Sequence, residues 1–262
     1  MAGVIGGALG WFFRPEPVWY HHWEGGFALF GAEHLACLAA AAALVAALLR
    51  RYRHLDARRR LVQLRAMAGT AVGLVVSKDL VYVALGLFEP LFWPLHICNL
   101  CEFVALAYAV APHSAFGRRM GDVLFCWGIT GGLGALLFPG WSYYTPAFCY
   151  ASVCGFAEHA LILSCALCPL SGGDYAPRPR RVWFVVLVSA ALGLLFRQVN
   201  PLWGTNFFFV TDPVSEGGPF PWLVATFGDE GFLVAYLVGA TGTWSACYAV
   251  WALATRGRRT GS

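Results

Sequence analysis

The residues of this chain with the most chemistry in them stand inside its apolar segments. Trp93-Pro94-Leu95-His96-Ile97-Cys98-Asn99-Leu100-Cys101-Glu102 places an imidazole, two thiols, an amide and a carboxyl in one run. Glu33-His34 and Glu158-His159 set an acid beside an imidazole in two more runs, and Lys78-Asp79 puts a charged pair in a fourth. Three histidines with several carboxylates are enough ligands for a zinc ion and its water, the equipment of an intramembrane hydrolase. Ionisable pairs at mid-depth also mark proton or substrate paths, the equipment of a carrier. Cys98-x-x-Cys101 and Cys165-x-x-Cys168 have redox or metal spacing, but a helical i,i+3 pair arises easily by chance, and buried thiols behave as small hydrophobes.

These groups need elements to hold them. Pro94 suits the first position of a helix, which the pattern predicts to run to about Ala111, before Pro112. On that helix Cys98, Asn99 and Glu102 share a broad face, with Glu102 one turn beyond Cys98. A helix facing lipid cannot keep such a face, so the group must look into protein or water.

The 262 residues are 59% hydrophobic and 12% charged, with mean hydropathy +0.62. An ordinary soluble domain carries about 25% charged residues. A spanning helix needs roughly 20 apolar residues, and stretches 26–49, 64–88, 94–112, 121–139, 149–169, 182–199 and 231–254 qualify. The fold class expected is an all-α polytopic membrane bundle of about seven transmembrane helices, a single membrane domain over residues 1–262. Met1 to Phe13 is apolar but lacks a basic leading region and a small-residue cleavage site, so it reads as an interfacial or re-entrant piece. Trp11, Trp19, Tyr20 and Trp23 suit headgroup depth. Between the fourth and fifth stretches, Pro139, Trp141, Tyr143, Tyr144 and Pro146 make an aromatic turn suited to anchoring or to a lid.

Arginines fill alternate loops: Arg50 to Arg65, Arg118 and Arg119, Arg178 to Arg181, and Arg256 to Arg259. The intervening loops hold Glu89, Asp212, Glu216, Asp229 and Glu230 instead. The positive-inside rule then puts the N-terminus outside and the C-terminus inside the cell membrane. Scattered arginines make no extended basic face, which argues against nucleic acid as a partner and leaves membrane lipids. The sequence does not fix an oligomeric state.

With that orientation Glu33, His34, Lys78, Asp79, His96, Cys98, Asn99, Glu102, Arg197, Gln198 and Asn200 fall in the external half, with Glu158 and His159 near the middle. One shared cavity of roughly 300–1,000 Å³, the usual size for a small-molecule site, accounts for this clustering in depth. Glu33, Lys78, Asp79, Glu102, Glu158, Arg197, Gln198, Asn200 and Asn206 are its expected lining. The loop from Pro201 to Glu230 is long, aromatic and poor in charge, so it should fold onto the bundle.

The His96-Ile97-Cys98-Asn99 element after Trp93-Pro94-Leu95, together with Gly204-Thr205-Asn206-Phe207-Phe208-Phe209-Val210-Thr211-Asp212-Pro213, resembles the YwaF-type family of small bacterial membrane proteins. The resemblance spans roughly Gly31 to Tyr248. That family is similar, more distantly, to an animal transmembrane protein proposed to be a cysteine-dependent phospholipid acyltransferase. Its pattern has a basic residue before the loop proline, where this chain has Asp212. The resemblance implies that Cys98 is a nucleophile, with His96 or another intramembrane histidine as its base. His96 and Cys98 point about 160° apart on a helix of 3.6 residues per turn. His34 or His159 on a facing helix is therefore better placed, and Asn99 would orient the base or donate to an oxyanion. This leading reading needs neither cofactor nor metal; the zinc hydrolase and the carrier stand as its alternatives.

Overall fold

The structure, a computed structural model, describes residues 8–20, 25–212 and 220–259. Met1 to Gly7, Trp23 and the Gly217-Gly218-Pro219 part of the long loop lie outside them, as do the side chains of Trp19 and Tyr20. Two short helices, α1 (Ala8–Phe12) and α2 (Glu16–Tyr20), precede α3 (Ala32–His54), α4 (Ala57–Ala84) and α5 (Ile97–Val110). Then come α6 (Ala115–Val123), α7 (Ile129–Leu137), α8 (Tyr150–Gly172), α9 (Val182–Trp203) and α10 (Phe220–Arg259). A π-helical turn over Leu124–Gly128 joins α6 and α7 into one rod. There is no strand among the described residues, and seven helical segments are long and apolar enough to cross a membrane. Each overlaps one of the seven stretches expected from the sequence.

Local chemistry sets most boundaries. Asp56 caps α4 by accepting from the Arg59 N–H at 2.9 Å, and Ser114 caps α6 by accepting from Gly117 N–H at 2.8 Å. Gly173 (φ 78°) and Gly204 (φ 65°) end α8 and α9 in the left-handed region that a side chain would strain. Two boundaries differ from expectation. Helix α5 starts at Ile97, three residues after Pro94: Pro90–Phe92 winds a 3₁₀ turn, and His96 stays extended (φ −64°, ψ 153°) as the cap residue. The His96 ring lies 5.1 Å from that of Phe207 and 5.6 Å from that of Phe209, contacts that outweigh the local preference of Pro94. Helix α10 starts at Phe220 and bends at Gly228 (φ 70°, ψ 170°), so part of the expected loop is helical.

Helix α8 is the hub. Of its most apolar stretch 83% is buried, against at most 50% for any other span, and α3, α4, α5 and α7 pack around it. Ala151, Ser152, Gly155, Ala160, Ser164, Cys165 and Ala166 are all buried there, and small residues let neighbours approach closely. The glycines of the fourth span divide by face. A Cβ on Gly128 would meet Ala166 Cβ at 3.0 Å and one on Gly132 would meet Leu163 Cβ at 3.1 Å, whereas Gly131 and Gly134 face open space.

The loop after α9 folds back as expected. Phe207, Phe208 and Val210 are buried, and Phe208 and Phe209 take positive φ (59° and 58°) to get there. The aromatic turn before α8 is docked as well: Trp141 lies against Phe156 and His159, and Thr145 Oγ1 meets Ser152 Oγ at 2.9 Å.

Candidate functional site

The buried face of α4 carries Ala71, Val75 and Tyr82 at helical spacing, and Lys78 falls in that stripe. The stripe packs on α8, so the Lys78 ammonium arrives in an apolar seam and must be met by charge. Glu158 of α8 meets it at 3.7 Å (Nζ–Oε2) and Glu16 of α2 at 3.6 Å. The three side chains are only 14%, 3% and 17% exposed. Glu16 is clasped further: Tyr82 Oη donates to its Oε2 at 3.2 Å and Tyr144 Oη to its Oε1 at 3.1 Å.

More acid surrounds this knot than it uses. Glu102 of α5 is 1% exposed, within electrostatic reach of Glu158 and Lys78, and neither of its carboxylate oxygens has a hydrogen-bond partner among the described residues. Glu158 Oε1 is likewise buried without one. Asp79 is half-buried and feels both Lys78 and Glu16. Four carboxyl groups thus face one ammonium, leaving spare acceptor oxygens inside the bundle.

The motif around Cys98 borders this cluster. Cys98 Sγ lies 3.9 Å from Asn99 Oδ1 and within electrostatic reach of Glu102, Glu158 and Lys78. Cys98, Asn99 and His96 are each partly accessible.

The structure does not bring the three histidines together. His34 Nδ1 accepts from Phe30 N–H and its Nε2 donates to the Leu136 carbonyl, both at 2.9 Å, so both ring nitrogens are engaged by main chain. His159 Nδ1 donates to the Gly155 carbonyl at 2.7 Å, which leaves Nε2 as a buried lone pair beside Trp141. His96 sits among phenylalanine rings at the start of α5. Among the described residues no three His, Cys, Asp or Glu side chains are grouped to hold a metal ion, so the donors present do not fit a zinc site.

Other expected lining residues have different surroundings. Glu33 is exposed on the first turn of α3, and Gln198 is exposed and Arg197 half-buried on α9, which packs mainly on α10 and the Phe207–Phe209 turn. Asn200 is buried but braces the loop, its Nδ2 donating to the Phe207 carbonyl and Thr211 Oγ1 and its Oδ1 accepting from Thr205 Oγ1 and Phe207 N–H. Asn206 ties the far end of that loop to Thr211 and Asp212. A small hollow with no charged residue in its lining lies between Ile97, Gly193, Phe208, Tyr236 and Trp244. Its volume is about 10 Å³, room for about one water. The charged groups meet as a packed knot.

Sequence reasoning missed Glu16, Tyr82 and Tyr144. Tyr82 had a signal, since it follows Lys78 by one helical turn and presents a hydroxyl on the same face.

No curated protein and no solved structure matches this chain. A family model does, over residues 29–241, a range that holds Lys78, Cys98, Glu102, Glu158 and all seven spans in whole or part. With that match over most of its length, this multi-pass membrane protein belongs to the TMEM164 family.

Proposed function

We propose that this protein is a membrane enzyme that transfers an acyl group from a membrane phospholipid, with Cys98 as the nucleophile. The observation that carries the reading is the exposure of its thiols. Seven of the nine cysteines are buried; Cys98 and Cys247 are partly accessible, and of these two Cys98 borders the charge cluster. The resemblance of its His-x-Cys-Asn element to YwaF-type proteins supports the same residue.

Glu102 is the base this geometry favours. It lies one turn beyond Cys98 on α5, on the same face, with both oxygens unengaged among the described residues. His34 has both nitrogens engaged, and the His96 ring packs against Phe207 and Phe209. Glu102 takes the thiol proton, and the sulfur attacks the ester carbonyl carbon of the lipid. Asn99 has its Oδ1 toward the thiol, which leaves its amide N–H groups to donate to the developing oxyanion. Collapse breaks the acyl C–O bond, and Glu102 returns the proton to the departing lysolipid alkoxide. An acceptor hydroxyl then attacks the thioester, passes its proton through Glu102 to the leaving sulfur, and regenerates the thiol.

The test is to incubate purified protein with a phospholipid labelled in its acyl chain. The native protein and Glu102→Gln are compared with Cys98→Ala. The native protein should form a hydroxylamine-labile adduct at Cys98 and release lysolipid. Cys98→Ala should form none, and Glu102→Gln should be slower by about 10²–10⁴-fold, the usual contribution of a general base. Lysolipid release by Cys98→Ala at the native rate would overturn the proposal.

A further inference from the structure

We infer that Lys78, Tyr82 and Tyr144 form a binding site for a phosphate group, occupied in this conformation by the carboxylate of Glu16. The inference is independent of the acyl chemistry at Cys98. Two phenol hydroxyls and one ammonium converge on a single carboxylate, at 3.2, 3.1 and 3.6 Å, from two segments that the bundle holds fixed. Tyr82 is 1% exposed and lies on the long helix α4, and Tyr144 ends the docked turn before α8. The anion they hold comes from elsewhere. Glu16 opens a five-residue helix that precedes the family-matched range, whereas its three partners fall within it.

Such an arrangement recognises a tetrahedral oxyanion as readily as a carboxylate. Charge-assisted donors bind both, and an ammonium acts on either as a point charge. Exchange of Glu16 for a phosphodiester replaces one negative charge by another, so the balance around Lys78 and Glu158 is preserved. Glu158 has its own contact with Lys78 at 3.7 Å, which the exchange does not have to break. Glu16 is then an internal competitor, and withdrawal of α2 opens the site. The phosphate can come from a phospholipid headgroup or from free phosphate. The location among spanning helices favours the lipid.

The experiment measures binding to full-length protein in detergent, with Cys98→Ala included so that binding is read without turnover. Probes are a fluorescent short-chain phosphatidylglycerol, the matching diacylglycerol that lacks phosphate, and inorganic phosphate as a competitor. Glu16→Gln, which keeps shape and removes charge, should bind the phosphatidylglycerol about tenfold more tightly than the parent, and the diacylglycerol no better. Tyr82→Phe with Tyr144→Phe should weaken phosphatidylglycerol binding by about tenfold and abolish the gain from Glu16→Gln. Competition by millimolar phosphate would assign the site to the free ion; its failure to compete would assign it to the headgroup. Unchanged or weaker binding in Glu16→Gln, or equal gains for the two lipids, would overturn the inference. Because the parent carries Cys98→Ala, loss of acyl transfer leaves this result intact.

Discussion

A lysine buried between apolar helices has to find its counter-charge inside the bundle, and Lys78 finds two. Removal of one partner from a buried pair leaves the other charge without compensation, typically a cost of about 3–5 kcal/mol. Lys78→Met should therefore destabilise the protein by about that amount, and adding Glu158→Leu should restore part of it, with Glu16 still left without its cation. Thermal unfolding in detergent reads both, and a double variant as unstable as the single one would mean that the pair is not the source of the loss. That Lys78 needs a carboxylate on another helix was legible in the sequence, because a charge in an apolar run has no lipid-facing solution, although Glu33, Asp79, Glu102 and Glu158 all stood open as that partner. Glu16 was not legible as one: its tyrosine partners stand 66 and 128 residues further along the chain. The histidines show a different limit. His34 is held by a carbonyl 102 residues away, and no residue type advertises a main-chain partner.

At the scale of elements, run length made the seven spans legible, and Gly128, Gly131, Gly132 and Gly134 in the fourth span are the kind of small residues that let helices pack closely. Which glycines make the contact depends on helix phase, which the structure supplies: Gly128 and Gly132 face α8, and Gly131 does not. Gly132→Leu should push α7 from α8 and destabilise by about 1–3 kcal/mol, as overpacked cores do. Gly131→Ala should be neutral or stabilising by up to about 1 kcal/mol, the helix propensity gained. Denaturation of the two variants side by side checks the assignment, and equal losses would refute it. The start of α5 was misplaced because tertiary contact decides it. Pro94 can open a helix, yet the His96 ring is committed to Phe207 and Phe209, and those rings come from a loop after α9. The strained φ of Phe208 and Phe209 has the same origin, since burial of the Phe208 ring and contact of the Phe209 ring with His96 and Phe220 compensate the backbone.

Across the whole molecule the two ends of the bundle differ in kind. At one end arginines lace the helices: Arg60 donates to the carbonyls of Tyr52, Arg53 and Gly172 and pairs with Asp174 at 3.5 Å, while Arg181 pairs with buried Asp122 at 3.2 Å. The opposite half holds Glu16, Lys78, Tyr82, Tyr144 and Cys98, with little arginine. Arginine-rich ends stay in the cytoplasm, so the clasp and the thiol should open toward the external leaflet. Seven spans among the described residues should also put the start of the first and the end of the last on opposite sides. Single cysteines added to Cys98→Ala protein decide this. Leu202→Cys, at a position 81% exposed beside the end of α9, should react with a membrane-impermeant maleimide in intact cells. Arg58→Cys, exposed on the first turn of α4, should react only after permeabilisation. The reverse pattern would place the clasp against the inner leaflet. The phosphate site and the acyl donor would then both have to be sought among cytoplasmic-leaflet lipids, although the contacts among Lys78, Glu16 and Glu158 would be the same.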